Sequence, residues 1–503
     1  MAPLDVDRPY RLNSSVALRP ESFGALAYSY DNRQLAFLKT PRLLEVLRAL
    51  DGASSASAAL SAAGVPAPDR SVYTAALQRL ADTDVLEAVP GERWESGLTS
   101  MPASGGVSGA VARAGSGAAG DLGGGGDRDG NRPGRLTDRF KSGLAAPICL
   151  TWELTYACNL ACIHCLSSSG RRDPDELTTA EAMSVVDAMA EMGIFYVNIG
   201  GGEPTVRPDF WSLLDHAVDR RVGVKFSTNG VRLDAAAARR LADTDYVDVQ
   251  ISLDGATAET NDAIRGTDAY AMARRAMDEL AAADFGPFKI SVVVTRHVVP
   301  ELDALSELAA GYGAQLRLTR LRPSGRGAQT WPQLRLDQDQ QRQVYRWLMA
   351  HPGVLTGDSF FHLSALGEPL PGLNLCGAGR VVCLIDPVGD VYACPFVLHE
   401  RFRAGSVRDP GGFPSLWRGA PLFRELRAPG SAGACTSCGL YDACQGGCMA
   451  AKFFTGIALD GPDPECVLGH GEAALTAAAA AAIPSPGPGH SRRPVPVSIG
   501  RRP

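Results

Sequence analysis

Three cysteines stand in CNLACIHC, residues 158–165, at an x3 then x2 spacing, with no fourth cysteine close enough to finish a local metal site. Structural zinc takes four closed ligands, usually as paired CxxC units, and a ferredoxin-type loop runs CxxCxxC with a fourth cysteine behind it. Cys158, Cys162 and Cys165 match neither pattern. Three thiolates can hold three irons of a [4Fe-4S] cubane and leave the fourth iron open to a small molecule, and that open position would be the functional part. A zinc site completed by His164, or a chance trio, is the competing reading.

Eight more cysteines fall late in the chain. Gly389 to Cys394 forms a Gx4C pattern behind Cys383, and Cys435-x2-Cys438-x5-Cys444-x3-Cys448 precedes Cys466; Cys376 completes two sets of four. Four thiolates per set suit a fully ligated iron–sulfur cluster or a zinc-ribbon site.

The elements that must position these thiols follow from apolar spacing. PICLTWELT, FYVNIGG, VGVKFSTNG, VDVQISLDG, FKISVVVTR and QLRLTRLRP read as strands separated by helical stretches such as TTAEAMSVVDAMAEMG. Six βα repeats imply parallel strands with right-handed crossovers, here an α/β fold in the form of an open, partial (β/α)6 barrel over 146–335 whose functional loops lie at the strand C-termini. The three-cysteine loop directly follows the first strand. Cys149 lies inside that strand and reads as a core residue.

Residues 8–90 form a separate winged-helix-like module. GALAYSYDNRQLAFLKT reads as a hairpin, PRLLEVLRAL and SVYTAALQRLAD as helices, and DVLEAV as a returning strand. Residues 91–145 are Gly-, Ser- and Ala-rich, a flexible linker with a root-mean-square reach of roughly 40 Å. A bridge and cysteine-rich domain occupies 336–470; its short segments carry little regular apolar pattern, so bound metal is expected to help hold it together. The Pro-rich tail from 484 reads as disordered.

Composition narrows the partners. With 45% hydrophobic and 21% charged residues and a formal net charge of −6, the chain has no generic attraction for nucleic acid or an anionic membrane. No run is long enough for a membrane helix, and MAPLDVDRPY lacks the regions of a signal peptide. The chain is therefore expected to be cytoplasmic, where clustered cysteines are metal ligands or catalytic thiols rather than disulfides.

CxxxCxxC resembles the signature of the radical SAM superfamily, and the resemblance implies that S-adenosylmethionine (SAM) occupies the open iron and is cleaved to a 5'-deoxyadenosyl radical. It further implies that GGEP (Gly201, Gly202, Glu203, Pro204) meets the SAM amino group, that Ser227, Asn229, Ser252 and Asp254 serve its ribose or carboxylate, and that Arg265 pairs with the carboxylate. Singly, each is as readily a turn residue at a strand end. His164 stands where the superfamily often has an aromatic residue beside the adenine.

The late cysteines resemble the SPASM auxiliary-cluster domain. By that analogy Cys376, Cys383, Cys394 and Cys448 hold one auxiliary [4Fe-4S] cluster and Cys435, Cys438, Cys444 and Cys466 the other, three clusters in all.

LTWELTYACNLACIHCLSSSG, FYVNIGGGEPTVRPDFW, LRPSGRGA, LTGDSFFHLSA and GGCMAAKFFTG make 146–470 similar to mycofactocin radical SAM maturases. That family implies a small ribosomal precursor peptide as substrate, oxidative decarboxylation of its C-terminal tyrosine, a carbon–carbon link to the adjacent valine, and an external electron donor such as a flavodoxin or ferredoxin. The first module resembles the peptide chaperone of the same pathway, which implies precursor binding by strand addition. Other SPASM maturases (quinone-precursor crosslinking, thioether or formylglycine formation) and a non-catalytic iron–sulfur electron carrier are the alternatives.

Overall fold

The computed structural model describes residues 3–31, 34–89, 143–356, 360–368, 370, 376–428 and 433–480. All but the last three residues of the Gly/Ser-rich stretch, and the tail from 484, lie outside them. The chain divides into two compact units, Met1–Gly134 and Arg135–Pro503.

In the first unit β1 (Pro9–Leu12), β5 (Asp51–Ser55) and β6 (Leu86–Ala88) form one three-stranded sheet, and β2 (Val16–Glu21), β3 (Gly24–Ser29) and β4 (Leu35–Leu38) a second. All pairings are antiparallel. The hairpin read from YSYDNRQLAF is β3–β4, with Tyr28 opposite Leu35; Asn32 and Arg33 of its turn lie outside the described residues. Helix α1 (Pro41–Ala49) starts where the Thr40 hydroxyl accepts from Leu43 N and proline occupies the first turn. Its buried Leu43, Leu44, Val46 and Leu47 join a core with α2 (Ala56–Ala62) and α3 (Arg70–Asp82).

The six expected βα strands are all present in the second unit: β7 (Cys149–Thr155), β8 (Tyr196–Gly201), β9 (Gly223–Thr228), β10 (Val247–Ser252), β11 (Lys289–Val294) and β12 (Gln315–Arg320), parallel and in sequential order. Helices α4 (Thr179–Glu191), α5 (Phe210–Asp219), α6 (Ala235–Ala242), α7 (Ala258–Arg265), α8 (Ala269–Ala282) and α9 (Leu302–Gly311) fill the crossovers. Alternation along each strand separates the faces. Leu150, Trp152 and Leu154 of β7, Val197 and Ile199 of β8, and Ile290, Val292 and Val294 of β11 are buried in the core. The residues between them, Glu153, Asn198, Lys225, Ser227, Gln250, Ser291 and Arg317, give the opposite face a polar lining.

The cysteine-rich segment departs from expectation. It does not depend on metal alone for order: β14 (Val382–Ile385) pairs in parallel with β7, and β15 (Asp390–Tyr392) and β16 (Arg403–Ser406) follow as an antiparallel meander. With β13 (Leu355–Thr356) at the far edge the sheet has ten strands. The apolar run VVCLI is too short to stand out from sequence, yet all four β14 residues are buried, and Phe402, Phe413, Trp417, Phe423 and Phe453 join the barrel core. This apolar burial supplies a driving force that the short segments do not show one by one.

Candidate active site at the strand ends

The three-cysteine loop leaves the C-terminal end of β7 and is held by its own backbone and by two later segments. Cys158 N donates to Gly170 O at 2.9 Å, and Gly170 N donates to Tyr156 O at 2.8 Å. Arg326 donates through Nε to Cys162 O at 2.8 Å and through Nη1 to Ser169 O at 2.8 Å. The Thr330 hydroxyl donates to Ile163 O at 3.1 Å. The thiols of Cys158, Cys162 and Cys165 lie within electrostatic reach of one another, and burial first, then these neighbours and Glu203, push the Cys158 thiol up to about 12. Among the described residues no three His, Cys, Asp or Glu side chains gather at single-ion spacing. Thiols that grip different corners of a cubane stand further apart than ligands of one ion, so three mutually close, half-buried thiols on a braced loop fit the cluster.

GGEP packs directly against this loop. Gly202 N donates to Thr155 O at 2.7 Å and Glu203 N to Ala157 O at 2.8 Å. A Cβ at Gly202 would stand 2.0 Å from Ala157 O, which explains the glycine. Glu203 is buried, and its oxygens accept from Thr205 Oγ1 at 2.6 Å, Thr228 Oγ1 at 2.8 Å and Asn229 N at 2.7 Å. Its carboxylate thus braces the ends of β8 and β9, leaving backbone carbonyls such as that of Gly201 as acceptors for a ligand amine. Asn229 Nδ2 donates to Asn159 Oδ1 at 2.9 Å, tying the end of β9 to the cysteine loop. Ser227 and Ser252 are part-exposed, and Ser227 Oγ accepts from Gln250 Nε2 at 3.3 Å.

Asp254 and Arg265 occupy each other. The Asp254 side chain is fully buried, with Oδ2 2.7 Å from Arg265 Nε and 2.8 Å from His164 Nε2, while Oδ1 accepts from Val293 N at 2.7 Å. Burial pushes the Asp254 carboxyl up, but Arg265 and His164 more than offset it and hold it at about 2. In this structure the trio fixes His164, and with it the cysteine loop, onto the end of β10. Thr228, Asn159 and Arg326 were not singled out from sequence; only their neighbourhood, in FSTNG, CNLAC and LRPSGRGA, carried a signal.

The late cysteines lie near one another in smaller sets. Cys438 and Cys466 each lie within electrostatic reach of Cys435, and Cys444 lies within reach of Cys435 and Cys466. The Cys376 thiol accepts from the backbone of Met449 beside Cys448. Cys383, on β14, and Cys394, just past β15, are buried at one end of that hairpin. Buried Lys452 faces both Cys376 and Cys435. Arg320, at the end of β12, reaches this region: its Nη1 and Nη2 donate to Asp463 at 2.9 and 2.5 Å, and its Nε pairs with Glu465. Asp463 in turn accepts from Cys448 N at 2.7 Å. Cys149 lies in β7 opposite Val382 of β14.

Beside the loop stands an acidic pair absent from the sequence reading. Ile385 is in register with Trp152, so Asp386 follows beside Glu153 at the strand ends. Burial first, then the neighbouring Asp386, pushes the Glu153 carboxyl up to about 8; burial pushes Asp386 up to about 7. Raised carboxyls bind protons in the folded chain that the unfolded chain has already released, so stability is greatest below the ordinary carboxyl range and falls as pH rises through 7 to 8. Chemical denaturation should show a loss on the order of a few kcal/mol between about pH 5 and about pH 9. Glu153→Gln should flatten that slope; an unchanged slope would refute the assignment.

The family model for the Peptide chaperone MftB family matches residues 9–87, and that for the Radical SAM superfamily matches residues 152–308. Mycofactocin maturase MftC of Mycobacterium tuberculosis is 63% identical over 375 residues, 73% of this chain and 96% of the relative. The chain belongs to the mycofactocin maturase family. It is a radical SAM enzyme, and that superfamily carries SAM with a [4Fe-4S] cluster. The corresponding maturase of Mycobacterium ulcerans is 66% identical over 344 residues, 68% of this chain and 93% of that one. Each of these relatives is covered almost throughout while about a quarter or more of this chain is left over, and the chaperone-family match falls at residues 9–87. Streptococcus suis SuiB bound to S-adenosylmethionine shares the fold at TM-score 0.60 and 15% identity, over 91% of this chain and 99% of that one. Among the described residues no helix is long and apolar enough to cross a membrane.

Proposed function

We propose that this family member matures a small ribosomal precursor peptide in the cytoplasm, oxidatively decarboxylating its C-terminal tyrosine and then linking that residue to the adjacent valine. Cys158, Cys162 and Cys165 hold the SAM-binding cluster, with Gly201, Gly202, Glu203, Pro204, Ser227, Asn229, Ser252, Asp254 and Arg265 shaping the SAM site around it. Bound there, cluster and SAM supply a 5'-deoxyadenosyl radical, and the two later cysteine sets supply auxiliary [4Fe-4S] clusters for the electron released. The chain's own part is positional. Glu203 and Asn229 set the strand ends against the loop, Arg326 fixes the loop carbonyls, and the Arg320 network fixes both auxiliary sets against β12. A flavodoxin or ferredoxin is the electron source, and the first unit binds the precursor.

The observation that carries this reading is the braced three-cysteine loop at the strand ends, continuous through β14 with a second cysteine region in the same sheet. Full-length, anaerobically reconstituted protein is incubated with SAM, a reductant and a precursor peptide ending in Val-Tyr, and the peptide is weighed by mass spectrometry. Loss of carbon dioxide plus two hydrogens is the expected first product. An unchanged peptide rejects the reading, and a different mass change points to another SPASM chemistry.

A further inference from the structure

The segment LRPSGRG, residues 321–327, leaves β12 and runs against the three-cysteine loop. Arg326 N donates to Cys165 O at 2.9 Å, and a Cβ on Gly325 would stand 2.4 Å from that same oxygen. Arg322, within this segment, is 4% exposed. Its Nε has no hydrogen-bond partner, its Nη1 donates to Arg320 O at 3.3 Å, and its plane lies 4.2 Å from the ring centroid of Phe396. No carboxylate of the described residues pairs with it.

Other arginines of this unit are matched. Arg320 has Asp463 and Glu465, Arg265 has Asp254, Arg207 has Asp209, and Arg326 has two carbonyls. A guanidinium taken out of water without an anion is costly, so an interior arginine left unmatched is a group awaiting a partner. Ser324, 3% exposed, leaves its hydroxyl unpartnered two residues on. Phe396, under the guanidinium, is two residues past Cys394. Arg322 therefore sits where the cysteine loop meets the first auxiliary set.

We propose that Arg322, with Ser324, forms a docking site for a carboxylate from outside the chain, and that this is the C-terminal carboxylate of the peptide substrate. The proposal rests on the reading above in taking a peptide as substrate. A planar fork suits a carboxylate in two-point contact. Holding that group ionised also suits its departure: with a hydrogen atom gone from the neighbouring carbon, the carboxylate leaves as carbon dioxide, a carbon–carbon double bond forms, and one electron passes on. The auxiliary sets stand ready to take that electron.

The test uses full-length, iron-loaded protein with SAM bound and no reductant, and compares binding of a precursor peptide ending in Val-Tyr with the same peptide as its C-terminal amide. The first unit holds both peptides alike, so their affinity ratio isolates the C-terminus. Wild type should prefer the acid by at least about tenfold, the worth of one charge-assisted contact; Arg322→Gln should bind both alike. Arg322→Lys, which keeps the charge and loses the fork, should fall between them, and it carries the test if Arg322→Gln fails to load iron. Full discrimination in the variants, or none in wild type, overturns the proposal. A loss of SAM affinity in place of peptide discrimination assigns the site to the SAM carboxylate and also overturns it. Because no turnover is read, a chain that selects the acid yet leaves its mass unchanged would sink the decarboxylation reading alone.

Discussion

Cys158→Ala should reduce 5'-deoxyadenosine formation from SAM to the uncatalysed background, while iron falls from about twelve to about eight per chain. The asymmetry between those numbers is the informative part. Cys158 is anchored through Cys158 N to Gly170 O and packs beside Cys162, Cys165 and Glu203. With two thiols left, the loop cannot keep three corners of a cubane occupied, and the iron that SAM would chelate has no fixed position. The late cysteines are untouched by the change and should keep their auxiliary redox signals. Chromatography of the nucleoside product and anaerobic iron analysis read both outcomes. Retained SAM cleavage would remove the catalytic assignment of the loop, and loss of all iron would show that the three sets do not assemble independently.

Arg320→Met should cost about 3 to 5 kcal/mol of stability, the usual consequence of removing one partner from a buried ionic cluster. The guanidinium is buried and is held charged by Asp463 and Glu465, whose proximity outweighs the penalty of burial. Without it two carboxylates remain in the interior. Asp463 also accepts from the backbone nitrogens of Cys448 and Glu465, next to Cys466, so repulsion there disturbs a proposed ligand of each proposed auxiliary set. Denaturant unfolding should therefore show the loss of stability together with depleted auxiliary iron. Adding Asp463→Asn and Glu465→Gln to Arg320→Met should recover part of the stability by removing the stranded charges. A variant as stable as wild type would mean that water reaches the cluster.

The strand ends were legible because each carries its own local mark. GGEP, FSTNG and ISLDG are polar clusters placed directly after apolar runs, so period and punctuation agree. The bracing was not legible. Asn159 meets Asn229 across 70 positions and Arg320 meets Asp463 across 143, pairings that no local window contains. Glu203 shows the limit in another way: its residue type suits a ligand amine, yet its neighbours Thr205 and Thr228 take its oxygens first. Asp386 acquires its interest only from register with β7, and VCLI, four residues of strand, is too brief to announce a β-element. Long-range sheet pairing is where reading by segment fails.

Strand β14 is zipped to β7 over four successive pairs, from Val382 with Cys149 to Ile385 with Trp152. The three-cysteine loop and Cys383 thus ride on one continuous hydrogen-bonded ladder. On the function proposed above, the spacing between the SAM-binding cluster and an auxiliary cluster held in part by Cys383 is then set by strand register, and electron passage between them waits on no rearrangement of this ladder.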